Sequence, residues 1–102
     1  MSGIKHDSEK PMIAYIPYTA LEEEGWVWTF GAKKYGAWNW KKGLNYTRII
    51  SAMLRHTIAI MSGEDYDKES GKLHAAHIRC CAGMLIEFQK TNRLDLDDRA
   101  EK

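Results

Sequence analysis

The stretch Asn45-Tyr-Thr-Arg-Ile-Ile-Ser-Ala-Met-Leu-Arg-His-Thr-Ile-Ala-Ile-Met-Ser-Gly63 decides the fold. Its apolar residues Ile49, Ile50, Met53, Leu54, Ile58 and Met61 recur three or four positions apart, which places them on one wide stripe of a 3.6-residue helix. Asn45 or Thr47 is suited to cap its start, and Gly63 to stop it. A stripe of that width needs an apolar partner. Residues 71–90 supply one, because Leu73, Ala76, His77, Cys80, Met84, Leu85 and Phe88 line one side of a second predicted helix. Upstream, Thr19-Ala-Leu-Glu22 fits a capping box, and Glu22, Glu23 and Glu24 would sit in a first turn whose dipole favours carboxylates. Leu21, Trp28 and Ala32 keep helical spacing, as do Trp26 and Phe30, so a helix is predicted from 19 to about 31, ending at Gly31. Three helical patterns make the chain all-α, a small helical bundle.

The 102 residues suit one domain. Residues 1–16 read as a short N-terminal arm, a strand or extended segment, with Pro11 and Pro17 bracketing its apolar part. Residues 17–90 form the helical core, and residues 91–102 a charged tail expected to fray. The acidic segment from Glu64 to Gly71 reads as a turn, with Asp67 or Ser70 available as a cap for the helix after it. A chain this short buries only about 60–65% of its unfolded surface, so self-association would help it. A net charge of +1 generates no whole-protein field for a nucleic-acid polymer, so attraction for phosphate must be local. Two adjacent cysteines, Cys80 and Cys81, give no disulfide scaffold and point to a reducing compartment. No apolar run approaches a membrane span, and the cytoplasm is the expected location.

Four groups of residues could do chemistry. In residues 31–45, Lys33, Lys34, Lys41 and Lys42 flank Tyr35, Trp38 and Trp40. Lysines meet phosphate oxygens, aromatic faces stack a base, and Asn39 could read a base edge. The glycines there permit close backbone approach to a ligand, although buried tryptophans beside solvated lysines would give the same pattern. Arg48 and Arg55 lie two turns apart on one helical face, each needing a partner: a carboxylate such as Glu22 or Glu87, or a ligand phosphate. Glu64, Asp67 and Glu69 could hold Mg²⁺ or Mn²⁺, or could be a solvated acidic turn. His74 and His77 share a helical face and could meet His56 as transition-metal ligands, as acid–base groups, or as packed histidines. The spacing of His77 and Cys81 matches no compact zinc pattern.

Lys5-x-Asp7-x-x-Lys10-Pro11, Gly31-Ala-Lys-Lys-Tyr-Gly36, Asn39-Trp40, Arg55-His56, Gly63-Glu64-x-x-Asp67, Glu69-Ser70-Gly71 and His74-x-x-His77 follow one another in that order. From Lys5 to about Phe88 this resembles the phage and bacterial dATP/dGTP diphosphohydrolase family, which is described as MazG-like. The resemblance implies an all-α, magnesium-dependent pyrophosphohydrolase that cuts a dNTP to dNMP and pyrophosphate. It also implies a homo-oligomer, dimer or tetramer, with the site between helices. One departure stands out. MazG enzymes carry Glu-x-x-Glu on one helix and Glu-x-x-Asp at the start of the next, where this chain has Arg55-His56 and His74-x-x-His77. The metal site has moved to the acidic turn, uses imidazole, or is gone.

The expected function is therefore hydrolysis of dATP or dGTP. Lys10, Lys33, Lys34, Tyr35, Asn39, Trp40, Arg48 and Arg55 would bind the purine nucleotide. Glu64, Asp67 and Glu69 would hold Mg²⁺ or Mn²⁺, and His56, His74 and His77 would position or deprotonate water. The alternative is a non-catalytic nucleotide-binding protein that sequesters a nucleotide signal.

Overall fold

A computed structural model describes residues 9–100 and contains three helices: α1 (Tyr18–Tyr35), α2 (Tyr46–Met61) and α3 (His74–Lys90). Single 3-10 turns at Ile13–Tyr15, Asn39–Lys42 and Leu94–Leu96 complete the order, and no strand forms among the described residues. The all-α expectation holds. The described part of the arm holds a 3-10 turn at Ile13–Tyr15 rather than a strand, because Tyr15 and Ile16 bond back to Met12 and Ile13 and no strand among the described residues offers a ladder. Lys5 and Asp7 lie outside the described residues.

Helix α3 is central, packing on α2 and on α1. Val27, Ala76 and Cys80 form one buried cluster, with Trp28, Leu73 and Met84 against it. Tyr46, Ile49 and Phe88 form another, joined by residues that include Trp40, Met53, Leu85 and Leu96. Met84 touches both and makes the two clusters contiguous along α3. The stripe predicted on α2 is only partly covered: Ile49 is buried, but Leu54, Ile58 and Met61 are 56%, 61% and 84% exposed. On α3 the predicted face is the buried one, including Ala76, Cys80 and Phe88.

Several boundaries differ from the sequence reading for local reasons. Helix α1 begins at Tyr18 behind Pro17, so Thr19 is inside the helix and caps nothing. Glu22 accepts a hydrogen bond from the Tyr18 hydroxyl at 3.1 Å instead of closing a capping box. Gly31 does not end the helix. A glycine costs about 1 kcal/mol mid-helix, which Lys33, Lys34 and Tyr35 outlast before Gly36 turns the chain at φ 95°. Asn45 precedes α2 without a side-chain cap, and the work falls to Asp98, whose carboxylate accepts from the Thr47 amide at 2.9 Å and hydroxyl at 2.6 Å. The tail therefore docks rather than frays: Leu96 packs against the Tyr46 cluster, and Arg93 and Arg99 pair with Asp95 and Asp97. Gly43, at φ 119°, allows that docking, since a Cβ there would lie 2.9 Å from the Arg93 guanidinium and 3.0 Å from Leu96. Finally, neither Asp67 nor Ser70 caps α3, which starts at His74, because both are used inside the preceding loop.

Candidate functional site

The three helices leave two adjoining cavities. The larger, of about 1020 Å³, lies between α1 and α2 over α3 and is closed at one side by the 36–44 link. The smaller, of about 230 Å³, shares Val27, Gly31, Tyr35, Cys80, Cys81 and Met84 with it and extends to the histidines and the acidic loop. A volume near the upper end of the ordinary small-molecule range suits a ligand of nucleotide size.

Tyr35, Trp38, Asn39, Trp40, Arg48 and Arg55 all line the larger cavity. Trp40 is half committed to the core, its ring 5.1 Å from Trp28 and 5.7 Å from Phe88. Trp38 is the freer ring. It stands 69% exposed in a left-handed backbone conformation at φ 64°, with the Lys41 ammonium 4.8 Å above it. Such a conformation is costly for a tryptophan and turns its side chain out of the core. The sequence reading put Trp40, not Trp38, among the ligand residues; the tertiary packing of Trp40 and the backbone angle of Trp38 separate the two. Arg48 and Arg55 are exposed and meet no carboxylate among the described residues. Neither Glu22 nor Glu87 is their partner: Glu22 holds Tyr18 and Glu87 lends only backbone oxygen.

Helix continuation through Tyr35 decides the lysines. At 100° per residue Lys34 falls on the face shared by Val27 and Gly31, and it lines the smaller cavity. Its ammonium pairs with Glu69 at 2.5 Å and lies 5.1 Å from the Tyr35 ring, and the Glu69 bond raises its pKa. Lys33 and Lys10 are exposed and line neither cavity.

The loop between α2 and α3 is not a solvated turn. The Glu64 amide bonds to Ala59, that of Asp67 to Lys72, and that of His74 to Asp65, with an antiparallel bridge between Tyr66 and Leu73. This ladder brings the carboxylates against the histidines. Glu64 Oε2 is 2.7 Å from Nε2 of His74, which is only 4% exposed. His74 Nδ1 lies 2.8 Å from His56 Nδ1, and the His56 and His77 rings stack at 4.5 Å. His77 Nε2 shares a 2.7 Å hydrogen bond with the Ser70 hydroxyl and stands 3.8 Å from Asp67 Oδ2. Asp67 Oδ2 also accepts from the Ser70 amide at 2.9 Å. Ser70, read from sequence as a possible cap and as part of the Glu69-Ser70-Gly71 string, thus links Asp67 and His77.

The electrostatics follow from this packing. Burial, reinforced by the neighbouring imidazoles, lowers the pKa of His56. Burial also lowers that of His77, against the pull of Asp67. Both are therefore neutral at neutral pH. Burial alone would raise the Asp67 carboxyl, but the Ser70 donors and the two imidazoles bring it below its ordinary value. Burial pushes the Cys80 thiol up to about 12, so it is inert packing.

The expected set of three carboxylates fits a cation poorly. Glu64 is committed to His74 and Glu69 to Lys34. Asp67 is different: one of its oxygens and one ring nitrogen each of His56 and His74 lie within 4.8 Å of one another. That donor set suits a divalent ion.

Residues 1–99 match a family described as dATP/dGTP diphosphohydrolase, N-terminal. A Salmonella phage PMBT28 protein named dATP/dGTP diphosphohydrolase is 37% identical over 100 residues, covering 97% of this chain and 33% of its own length. The chain thus spans about a third of that relative. No solved structure matches. No helix among the described residues is long and apolar enough to cross a membrane. Matched over nearly its whole length, the chain belongs to the dATP/dGTP diphosphohydrolase family, in the region that family's description calls N-terminal.

Proposed function

We propose that the chain hydrolyses a purine deoxynucleoside triphosphate, dATP or dGTP, to the monophosphate and pyrophosphate. The observation that carries this reading is the pair of guanidinium groups, Arg48 and Arg55, that meet no carboxylate among the described residues and stand on the wall of a cavity adjoining the histidine cluster. The base stacks on Trp38 above the floor made by Trp40, and Asn39 meets its edge. The guanidinium groups take the phosphates bidentately, and Lys34 exchanges Glu69 for a phosphate oxygen.

Water attacks the α-phosphorus and the bond to the α–β bridging oxygen breaks, so pyrophosphate leaves. His77, neutral and held by Ser70 beside Asp67, receives the water proton. His56 stacks on it and fixes the ring. His74 is too deeply buried to meet substrate and acts through its neighbours. A divalent ion, Mg²⁺ or Mn²⁺, held by Asp67 with His56 and His74, would neutralise phosphate charge and lower the pKa of the water. The exposed Leu54, Ile58 and Met61 support the further reading that copies of the chain associate.

The test is incubation of the purified chain with dATP or dGTP and Mg²⁺ or Mn²⁺, reading monophosphate and pyrophosphate. Formation of both is expected. Stoichiometric binding with every nucleotide recovered intact would replace this reading with a non-catalytic nucleotide-binding protein, a role favoured by the engagement of Glu64 and Glu69 in internal bonds.

A further inference from the structure

We propose that His56, Asp67 and His74 form a mixed imidazole–carboxylate centre that takes a transition-metal ion of the Mn²⁺, Fe²⁺ or Co²⁺ kind in preference to Mg²⁺, with Glu64 orienting the His74 ring. The inference deepens the hydrolase reading and rests on it for placing the ion beside the phosphates.

The tautomer of His74 comes first. An ionised carboxylate only accepts hydrogen bonds, so the 2.7 Å contact with Glu64 Oε2 places the ring proton on Nε2. In the neutral ring Nδ1 then carries a lone pair, in a side chain 5% exposed. A carboxylate holding the far nitrogen of an imidazole is the usual outer support of a histidine metal ligand. The Glu64 backbone is fixed by its amide bond to Ala59 at the end of α2, and its other carboxylate oxygen lies 3.7 Å from the Lys68 ammonium.

Facing that lone pair, 2.8 Å away, is Nδ1 of His56. The two nitrogens either share one proton or release it to a cation. The 2.8 Å spacing is that of a shared proton, and a cation that displaced it would be held by both nitrogens. Asp67 supplies the third donor, and its Oδ2 is steadied by the Ser70 amide. The donors come from α2, the loop and α3, so folding assembles the centre.

The ion class follows from the donors. Mg²⁺ takes oxygen ligands in a near-ideal octahedron, whereas imidazole suits later divalent metals. Two of the three donors here are imidazole nitrogens, and Glu64 and Glu69 are engaged elsewhere.

The test is equilibrium dialysis of the chelator-treated chain against MnCl₂, CoCl₂ or MgCl₂ without nucleotide. One Mn²⁺ or Co²⁺ per chain is expected, retained against excess Mg²⁺. His56→Gln should abolish binding, and Glu64→Gln should weaken it about 10–100-fold. Far-UV circular dichroism melts, read alongside, identify variants that still fold; His56 is only partly buried, so its replacement is the tolerant one. Failure to bind either ion, displacement by equimolar Mg²⁺, or unchanged binding by folded His56→Gln overturns the proposal. Ion binding without pyrophosphate release leaves this centre standing and removes the hydrolase reading. Pyrophosphate release by a chain that binds Mg²⁺ alone does the reverse.

Discussion

The larger cavity is walled by indole and phenol rings beside two guanidinium groups that no carboxylate among the described residues meets, whereas in the smaller one Lys34, His56, Asp67, Glu69 and His77 each already have a polar partner. The difference separates two jobs. A solvated, unpaired guanidinium costs little to keep and has its donors free for an anion. A cluster of polar groups that hold one another is preorganised, so its geometry need not be assembled when a substrate arrives. On the proposed reading, the first cavity supplies affinity and the second chemistry.

Substitutions that strike one cavity and spare the other are the direct way to break this division. The largest effect is expected for His77→Gln, which should lower the rate of pyrophosphate release by about 10²–10⁴-fold while nucleotide binding, read by calorimetry, stays as in the parent. Equal losses in both would merge the two cavities into one function. Next, Arg55→Ala or Arg48→Ala should weaken nucleotide binding by about 1.5–3 kcal/mol, roughly 10–100-fold, with thermal stability unchanged because no ion pair among the described residues is lost. Trp38→Gly sharpens the comparison further. It should cost about 1–3 kcal/mol of nucleotide affinity through lost stacking without lowering the melting temperature, because glycine accepts φ 64° freely.

Smaller effects fall outside both cavities or on the fold as a whole. Asp98→Ala removes the acceptor that covers the Thr47 amide and should cost about 0.5–2 kcal/mol in urea unfolding, with nucleotide affinity intact. The smallest is the response of the metal-free chain to pH. His56 and His77 have folded pKa values below the ordinary 6.5, so the unfolded chain binds more protons as pH falls. Their contribution is complete above about pH 6.5 and is lost as pH drops through the depressed folded values. The urea midpoint should therefore be lower at pH 5.5 than at 7.5, and less so in His56→Gln; a flat profile in the parent would show the two rings to be freely solvated.

Legibility in the sequence differed from one region to the next. The repeat of apolar residues in 49–61 and 73–88 placed α2 and α3, because a helix writes its buried face at a period that survives any tertiary arrangement. Cap and stop residues were read less well. Thr19 and Gly31 have the right chemistry, yet Pro17 starts α1 and Gly36 ends it, since glycine and threonine are tolerated inside a helix that packs well. Lys33 and Lys34, equivalent as a pair in sequence, were parted by a single 100° step once α1 continued past them.

By itself, the sequence determined the all-α class, the central helices and the meeting of aromatic, arginine and histidine groups within residues 31–77, because periodicity and residue chemistry are local properties. Only the tertiary structure decided which charges stay free. Arg48 and Arg55 meet no carboxylate among the described residues, Glu64 and Glu69 are spent on His74 and Lys34, and Asp98 reaches from the tail to α2. Pairing of charges is set by distances across the fold, and residues 10 to 51 positions apart in the chain meet for reasons that no local pattern records.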